Sequence, residues 1–412
     1  MPGRWTALGL GAALLLLATG CQPPDAERAG LTFAISLAED ERDAVREVLD
    51  RFTRETGVTV AMAAVTGEDL PEKLKVEVRA GRLTLDLFAK DALALRVLVD
   101  DGLVEDLSDV AIPDGVLPAM VPERFEGKQY FLPFRPNVQV TYVNRTRFGQ
   151  AGVTAPATAE ELRAVARQLK SAARGVAKVT LPLAEGGAAA VTVTEWIVAF
   201  GGNPLLLNDA GAVRAFEFLR SLWAEGLLAR ESLLAKYDTQ VDYLQGETAW
   251  LASNWPFTSR VFAEQDILAR FQVYEGWRGP VRAAHVLGGD VLGIPRGLGG
   301  RRRDAALALS RFLMSREAQQ VLVELNAWPS IRDDAYGGVP AAQRETFEAI
   351  QRALAGAVRR PDVVYWADVT EAMNEAVRRI LVGGEPARPV LDELHGQVAA
   401  AARRKGARYP PA

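Results

Sequence analysis

"LTFAISLAEDERDAVREVLDRFTRETGVTVAM", residues 31–62, is the stretch that decides the fold. Leu31, Phe33, Ile35 and Leu37 alternate with smaller or polar residues, the period of two that marks a strand with one buried face. The period then changes. Ala44, Val45, Val48, Leu49 and Phe52 fall on one side of a helix, and Gly57 closes it before the apolar run 58–62. Strand, helix and strand in succession predict a sheet covered by helices. Working outward, another helix leads to the strand LTLDLF (83–88), ALALRVLVDDGLV (92–104) reads as helix, and VQVTYV (138–143) as a strand. Thr158-Ala159-Glu160-Glu161 is a capping box that opens a helix with Leu162, Val165, Ala166 and Leu169 on one side. The next helix starts near Asn208-Asp209, carries Val213, Phe216, Leu219, Leu222 and Trp223 on its core face, and stops at Gly226. LQGETAWLASNWP (244–256) passes from helix through strand to a proline-stopped loop. Helices are predicted over 304–314 and 316–326, and over 369–382, where Val369, Met373, Ala376, Val377 and Ile380 share a face. No repeat of fixed period is visible.

The front end differs from the rest. Arg4 precedes an uncharged apolar stretch, 7–18, too short to cross a bilayer as a helix, the pattern of a secretory signal. It ends in Ala18-Thr19-Gly20-Cys21, which resembles the lipobox of bacterial lipoproteins, and Cys21 is the only cysteine of the 412 residues. The resemblance implies a signal peptide over 1–20, lipidation of Cys21 and a polar, proline-containing tether over 21–30. With no second cysteine, an intrachain disulfide is excluded and the fold must rest on its core. The remaining length suits two domains of roughly 100–200 residues each. Apolar residues at 49% and charged residues at 24% are ordinary for a soluble globular chain. A formal net charge of −4 offers no general attraction for nucleic acid. No later stretch is long and apolar enough to span a membrane, so attachment through the lipid alone is expected.

Catalysis is tested by elimination. The two histidines, His285 and His395, have no cysteine, glycine-flanked serine or second histidine at metal-ligand spacing beside them. There is no phosphate-binding glycine loop, and Gly297-Leu298-Gly299 lacks the later glycine. Carboxylate pairs such as Glu160-Glu161 are not set by any sequence argument at the about 5–9 Å separation that glycoside hydrolysis needs. No metal, no cofactor and no enzymatic activity are expected, with an exported glycosidase as the rival of another class.

The unusual feature is tryptophan. Eight occur, of which Trp5 lies in the leader, and several sit in irregular Pro- or Gly-flanked segments: Asn254-Trp255-Pro256, Gly276-Trp277-Arg278, Ala327-Trp328-Pro329 and Tyr365-Trp366-Ala367. Loops carry binding residues disproportionately. A pyranose has apolar C–H faces and a hydroxyl rim, so a receptor for it needs flat aromatic rings bordered by carboxylates, amides and guanidinium groups. The structural alternative for each tryptophan is a place in the core.

With these residues in hand, the chain resembles the extracellular solute-binding proteins of ABC importers, in the group of maltose- and trehalose-binding proteins. FTRETGVTV (52–60) is similar to the family's first helix end and second strand, and GKQYFLPFRPNVQVTYVN (127–144) to its first crossing between lobes. FLRSLWAEGLL and YLQGETAWLASNWP are similar to its second-lobe core and ring-presenting loop. LGGDVLGIPRG (287–297), SREAQQVLVELNAWPSIRDD (315–334) and VVYWADVTEAMNEAVRRIL (363–381) follow in the family's order. The resemblance implies an α/β fold of the two-lobed periplasmic-binding-protein type, with three hinge crossings and an interlobe ligand cleft. It assigns 31–136 and 284–334 to the N-terminal lobe, and 137–283 and 335–412 to the C-terminal lobe.

It also implies a site. Asp91 falls where the family offers an acidic hydroxyl acceptor, with a helix N-cap before 92–99 as its alternative. Arg135 and Asn137 lie on the first crossing, with a surface-loop role as theirs. Trp196 matches an aromatic facing the ligand, core burial being the other reading; Trp255 and Trp366 match stacking rings; Trp328 lies at the third crossing. Asp290 stands where the family often has an aromatic, a departure that implies a more polar subsite. The implied function is a monomeric, lipid-anchored receptor that delivers a carbohydrate, such as an α-glucoside di- or oligosaccharide, to an ABC importer permease. A polyol, a polyol-phosphate or a polyamine is the alternative within the same fold.

Overall fold

The computed structural model describes residues 30–410 except 38 and 94. The expected signal peptide, the expected lipidation site Cys21 and the expected tether before Gly30 therefore lie outside the described residues. No described helix is long and apolar enough to cross a membrane.

Ten strands are described: β1 (Gly30–Ala34), β2 (Thr59–Ala63), β3 (Leu87–Asp91), β4 (Leu132–Asn137), β5 (Val140–Asn144), β6 (Val179–Thr180), β7 (Leu251–Asn254), β8 (Phe271–Tyr274), β9 (His285–Gly293) and β10 (Ala357–Arg359). They form two sheets, one ordered β10-β9-β3-β1-β2 with β4 also on β9, the other β6-β7-β5-β8. β1 runs parallel to β2 and β3, whereas β9 runs antiparallel to both β3 and β4.

The quoted opening stretch behaves as its periods dictate. The helix Arg42–Thr56 buries Ala44, Val45, Val48, Leu49 and Phe52, and Gly57 caps it at φ 74°. Both faces of the first sheet are covered, which a period of two alone did not show: Leu31, Phe33 and Ile35 enter one apolar cluster, while Ala34 joins Phe88, Leu70 and Leu74 in another. Thr158 accepts from the Glu161 amide and Asp209 from the Ala212 amide, so both expected helix starts have side-chain caps.

Several boundaries move. The strand expected over 83–88 begins only at Leu87, because Asp86 turns its carboxylate to the Thr32 amide (2.7 Å) and to Arg302 (2.7 Å). The helix expected over 92–104 shrinks to Arg96–Asp100, its first amides held by Asp362, and the helix expected over 369–382 starts earlier, at Trp366, and continues as a π-helical turn over Val377–Val382, with one further helix, Ala387–Arg404, after it. Pro256 opens the helix Phe257–Glu264 instead of stopping a loop, its fixed φ suiting a helix start. Trp223, expected on the core face, is only half-buried.

The chain leaves the first sheet for the second between β4 and β5 and returns between β8 and β9. It leaves again after the helix Arg316–Asn326, and the next long helix, Arg344–Ala355, packs on β8. The assignment of 335–412 wholly to the second lobe needs one correction: β10 pairs in parallel with His285–Leu287 of β9, so 357–359 is an edge of the first sheet. The core does not divide at the hinge. Phe33, Leu49 and Phe134 belong to the same apolar cluster as Tyr142, Phe262 and Phe271 of the second lobe. The other face of the second sheet has its own cluster around Val143, Phe216, Leu219 and Ile380.

Candidate functional site

Between the two sheets lies a cleft of about 570 Å³. From the first sheet come Asp91 at the end of β3, Arg135 and Asn137 on β4, and Gly288 and Gly289 on β9. From the second lobe come Glu185, Lys236, Tyr237, Trp255 and the first turns of the helix Gly187–Ala199, and Arg360 enters just after β10.

The floor is shaped by two glycines. Gly289 has φ 98°, and a Cβ there would meet the Arg135 carbonyl oxygen at 1.9 Å. This close approach accompanies the register shift between Pro133 and Arg135 on β4. At Gly288 a Cβ would stand 3.2 Å from Cη2 of Trp255, a tight contact, so the bare strand gives the indole room to lie close against it. The ring is fixed from behind: Asn254 accepts from the Trp255 amide (2.9 Å) and donates to the Tyr237 carbonyl (2.6 Å), and Tyr142 donates to the Trp255 carbonyl (3.3 Å). Tyr237 packs on Trp255 edge-on, centroids 5.5 Å apart.

The polar rim is mostly paired. Arg135 reaches Glu41 (3.2 Å) and Asp290 (2.8 Å), and its guanidinium lies 4.2 Å from the centroid of Trp328. Trp328 in turn donates its indole N–H to Glu41 at 2.9 Å. Strand register explains the grouping, since Asp290 of β9 sits between Asp91 of β3 and Arg135 of β4 in one row. Burial pushes the Asp290 carboxyl above the usual carboxylate range, Arg135 opposes this, and Asp91 adds to it. Asp91 accepts from Arg360 (3.1 Å) and from the Leu93 amide (2.8 Å). Its alternative role as a helix cap falls instead to Asp362. Among the described residues Lys236 is the cleft-lining cation without a carboxylate partner in the ion pairs.

Of the eight candidate ligand residues, Asp91, Arg135, Asn137 and Trp255 line this cleft, and the structure places the other four outside its lining. Trp366 is 8% exposed and packed in the second-lobe cluster with Val369 and Met373. Its i, i+3, i+7 spacing to those two was the signal that it belongs to a core stripe. Trp196, 4% exposed, joins Phe200, Phe218 and Trp277 in an aromatic group and borders a separate, smaller cavity. Trp328, 6% exposed, is a first-lobe core residue under Arg135. Asp290 stands behind Arg135 as its counter-ion. Sequence reasoning missed Glu41, Glu185, Lys236, Tyr237 and Arg360. Charged and hydroxyl side chains at loop ends carry no periodic signal, and only the break at Arg359-Arg360-Pro361 hinted at an inward-turned arginine. Among the described residues no group of three or more His, Cys, Asp or Glu is placed to hold a metal.

No curated protein sequence matches the chain. Solved structures do. The sugar-binding protein MalE of Xanthomonas citri is 18% identical with a TM-score of 0.79, over 92% of this chain and 98% of that one. The cyclic α-maltosyl-1,6-maltose binding protein of Arthrobacter globiformis is 19% identical with a TM-score of 0.77, over 91% and 99%. The GacH receptor of Streptomyces glaucescens, solved without ligand and with acarbose, is 19% identical with a TM-score of 0.76, over 92% and 99%. At these identities the likeness is one of fold, the two-lobed architecture of periplasmic binding proteins. The sequence model described as bacterial extracellular solute-binding protein matches residues 47–349, and the chain belongs to that family.

Proposed function

We propose that this protein captures a neutral, hydroxyl-rich solute, a carbohydrate of the α-glucoside di- or oligosaccharide class, and hands it to the permease of an ABC importer without altering it. The observation that carries the reading is the indole of Trp255 against the bare strand at Gly288, a flat apolar platform bordered by Asp91, Asn137, Arg135 and Arg360. Such a platform suits a pyranose face, and the rim suits its hydroxyls. The ligands of the similar structures, acarbose and a cyclic maltosyl-maltose, point the same way.

Charge separates this reading from a polyol-phosphate. Arg135 and Arg360 already face carboxylates, so an anion would compete with Asp290 or Asp91 for them and keep only Lys236 to itself, while a neutral hydroxyl displaces nothing. A polyamine would meet the two guanidinium groups. A solute that touches both lobes favours the closed arrangement by the difference of its contacts in the two states, and the closed shape is what a permease would read. Export with a lipid on Cys21, and action as a monomer, complete the proposal.

The test is a thermal-shift panel of maltose, trehalose, ribitol, glycerol 3-phosphate and spermidine. At 100 times its dissociation constant a ligand stabilises by about 2.7 kcal/mol. A shift with the sugars is expected; a shift with glycerol 3-phosphate or spermidine alone overturns the reading.

A further inference from the structure

Beside the cleft, near the crossing between the sheets, lies a second, smaller cavity of about 30 Å³, lined among others by Gln139, Thr141, Glu195, Ser253 and His285. It adjoins the cleft with a lining of its own, and four of the chain segments that wall the cleft reach the cavity within a few residues. Asn137, at the end of β4, is two residues before Gln139 in the crossing between the sheets, and Trp255, just past β7, is two residues after Ser253; Thr141 and Ser253 are paired across β5 and β7. From Val191 the helix Gly187–Ala199 steps four residues to Glu195, again on one face. From Gly288, β9 runs back to Val286, whose amide donates to Glu195 at 2.8 Å, and to His285.

Gln139 is 2% exposed, and neither its amide oxygen nor its amide nitrogen has a hydrogen-bond partner. Leaving a buried polar group unsatisfied costs about 1–3 kcal/mol, so a polar group from outside the chain belongs beside it. An amide that offers one donor face and one acceptor face matches a hydroxyl, which both donates and accepts. The volume admits one or two water-sized groups, enough for a hydroxymethyl arm and too little for a ring.

We propose that this cavity is a subsite for a hydroxyl-bearing arm of the solute stacked on Trp255, with Gln139 as a specificity-determining residue. The inference rests on the carbohydrate reading above. Its rival is water alone, which would satisfy Gln139 equally and would not distinguish solutes.

The experiment measures binding of maltose, trehalose and ribitol and of their monodeoxy forms, on the wild type and on Gln139→Leu, with Gln139→Met as the nearly isosteric variant should the first not fold. For the parent that binds, one monodeoxy form is expected to bind the wild type about tenfold or more weaker, since a site built around a hydroxyl rejects its absence strongly. In the Gln139 variant the difference should fall to within about twofold. If none of the three parents binds, the carbohydrate reading fails and takes this inference with it. If a parent binds while all its monodeoxy forms bind equally well, or if the Gln139 variants keep the wild-type preference, the subsite alone is overturned. A crystal structure of the bound complex with water only beside Gln139 overturns it likewise.

Discussion

At the scale of single residues, the tryptophans separate into two kinds that the sequence did not distinguish. Trp255 is held by its backbone, through Asn254 and Tyr142, and leaves its ring half-buried at the cleft; Trp366 is packed among Val369, Met373 and the rest of the second-lobe core. Both stand beside irregular segments, so flanking residues could not tell them apart, whereas the spacing Trp366, Val369, Met373 could have. Trp255→Ala should weaken binding of the cognate sugar about tenfold or more, since a stacked ring contributes about 0.5–1.5 kcal/mol beyond the area it covers, with little change in the melting temperature of the free protein. Trp366→Ala should do the reverse, costing about 3–5 kcal/mol of stability, the range for emptying a large aromatic from a core. Calorimetry and denaturant melts on the two variants check the pair, and equal effects on binding would return Trp366 to the cleft. The rim residues were half legible. Asp91, Arg135 and Asn137 came from the family likeness, the first just past a strand and the other two on the first crossing, but that Asp290 neutralises Arg135 depends on strand register, and that Glu41 does so depends on a contact 94 positions away, neither of which a local pattern encodes.

At the scale of elements, the helix Gly187–Ala199 joins the lobes. Its first turns line the cleft, and Glu195 accepts from Val286 on β9. Burial pushes the Glu195 carboxyl up to about 8 from an ordinary value of 4.5, the Val286 hydrogen bond opposing. Nearby His285 is pushed by burial down to about 4 from 6.5, with Glu275 opposing. The native state therefore holds a proton on Glu195 that the unfolded chain releases above pH 4.5, and stability falls as pH rises from there to about 8. His285 acts oppositely between pH 4 and 6.5, where the unfolded chain takes up a proton that the native state refuses. Between pH 6.5 and 8 Glu195 is unopposed by it. The wild type should lose up to about 2 kcal/mol across that window, at about 1.36 kcal/mol per pKa unit, and Glu195→Gln should flatten the profile. Denaturant melts at pH 6.5 and 8 measure it; a variant with the wild-type slope would show that Glu195 does not carry the dependence. Elements of clear period, such as Arg42–Thr56 and Ala159–Ala172, were readable from the chain within a few residues. The short helix Arg96–Asp100 was not, because Asp362, more than 260 positions away, decides where it starts.

At the scale of the whole molecule, the alternation of strands and helices announced an α/β architecture, and family likeness supplied the hinge crossings. What neither supplied is that the core runs through the hinge. Phe262 stacks on Phe271 with centroids 4.5 Å apart and meets Tyr142 edge-on at 6.0 Å. These second-lobe rings belong to the cluster that also contains Phe33 of β1 and Phe134 of β4. The third crossing is tied into the same region: Gln319 donates to the Phe134 and Leu313 carbonyls and accepts from Ser330 and the Ile331 amide. A core shared in this way is expected to couple the stabilities of the two lobes even though each keeps its own sheet, and the closure proposed above would then bend the connecting segments without separating the halves. Phe262→Ala should then cost about 3–5 kcal/mol and leave a single unfolding transition. Exchange of the β1 amides, in the other lobe, should quicken by a factor close to that of the β5 amides beside the cavity. If β1 protection stays at its wild-type level while β5 loses its own, the lobes unfold independently and the contiguous core does not couple them.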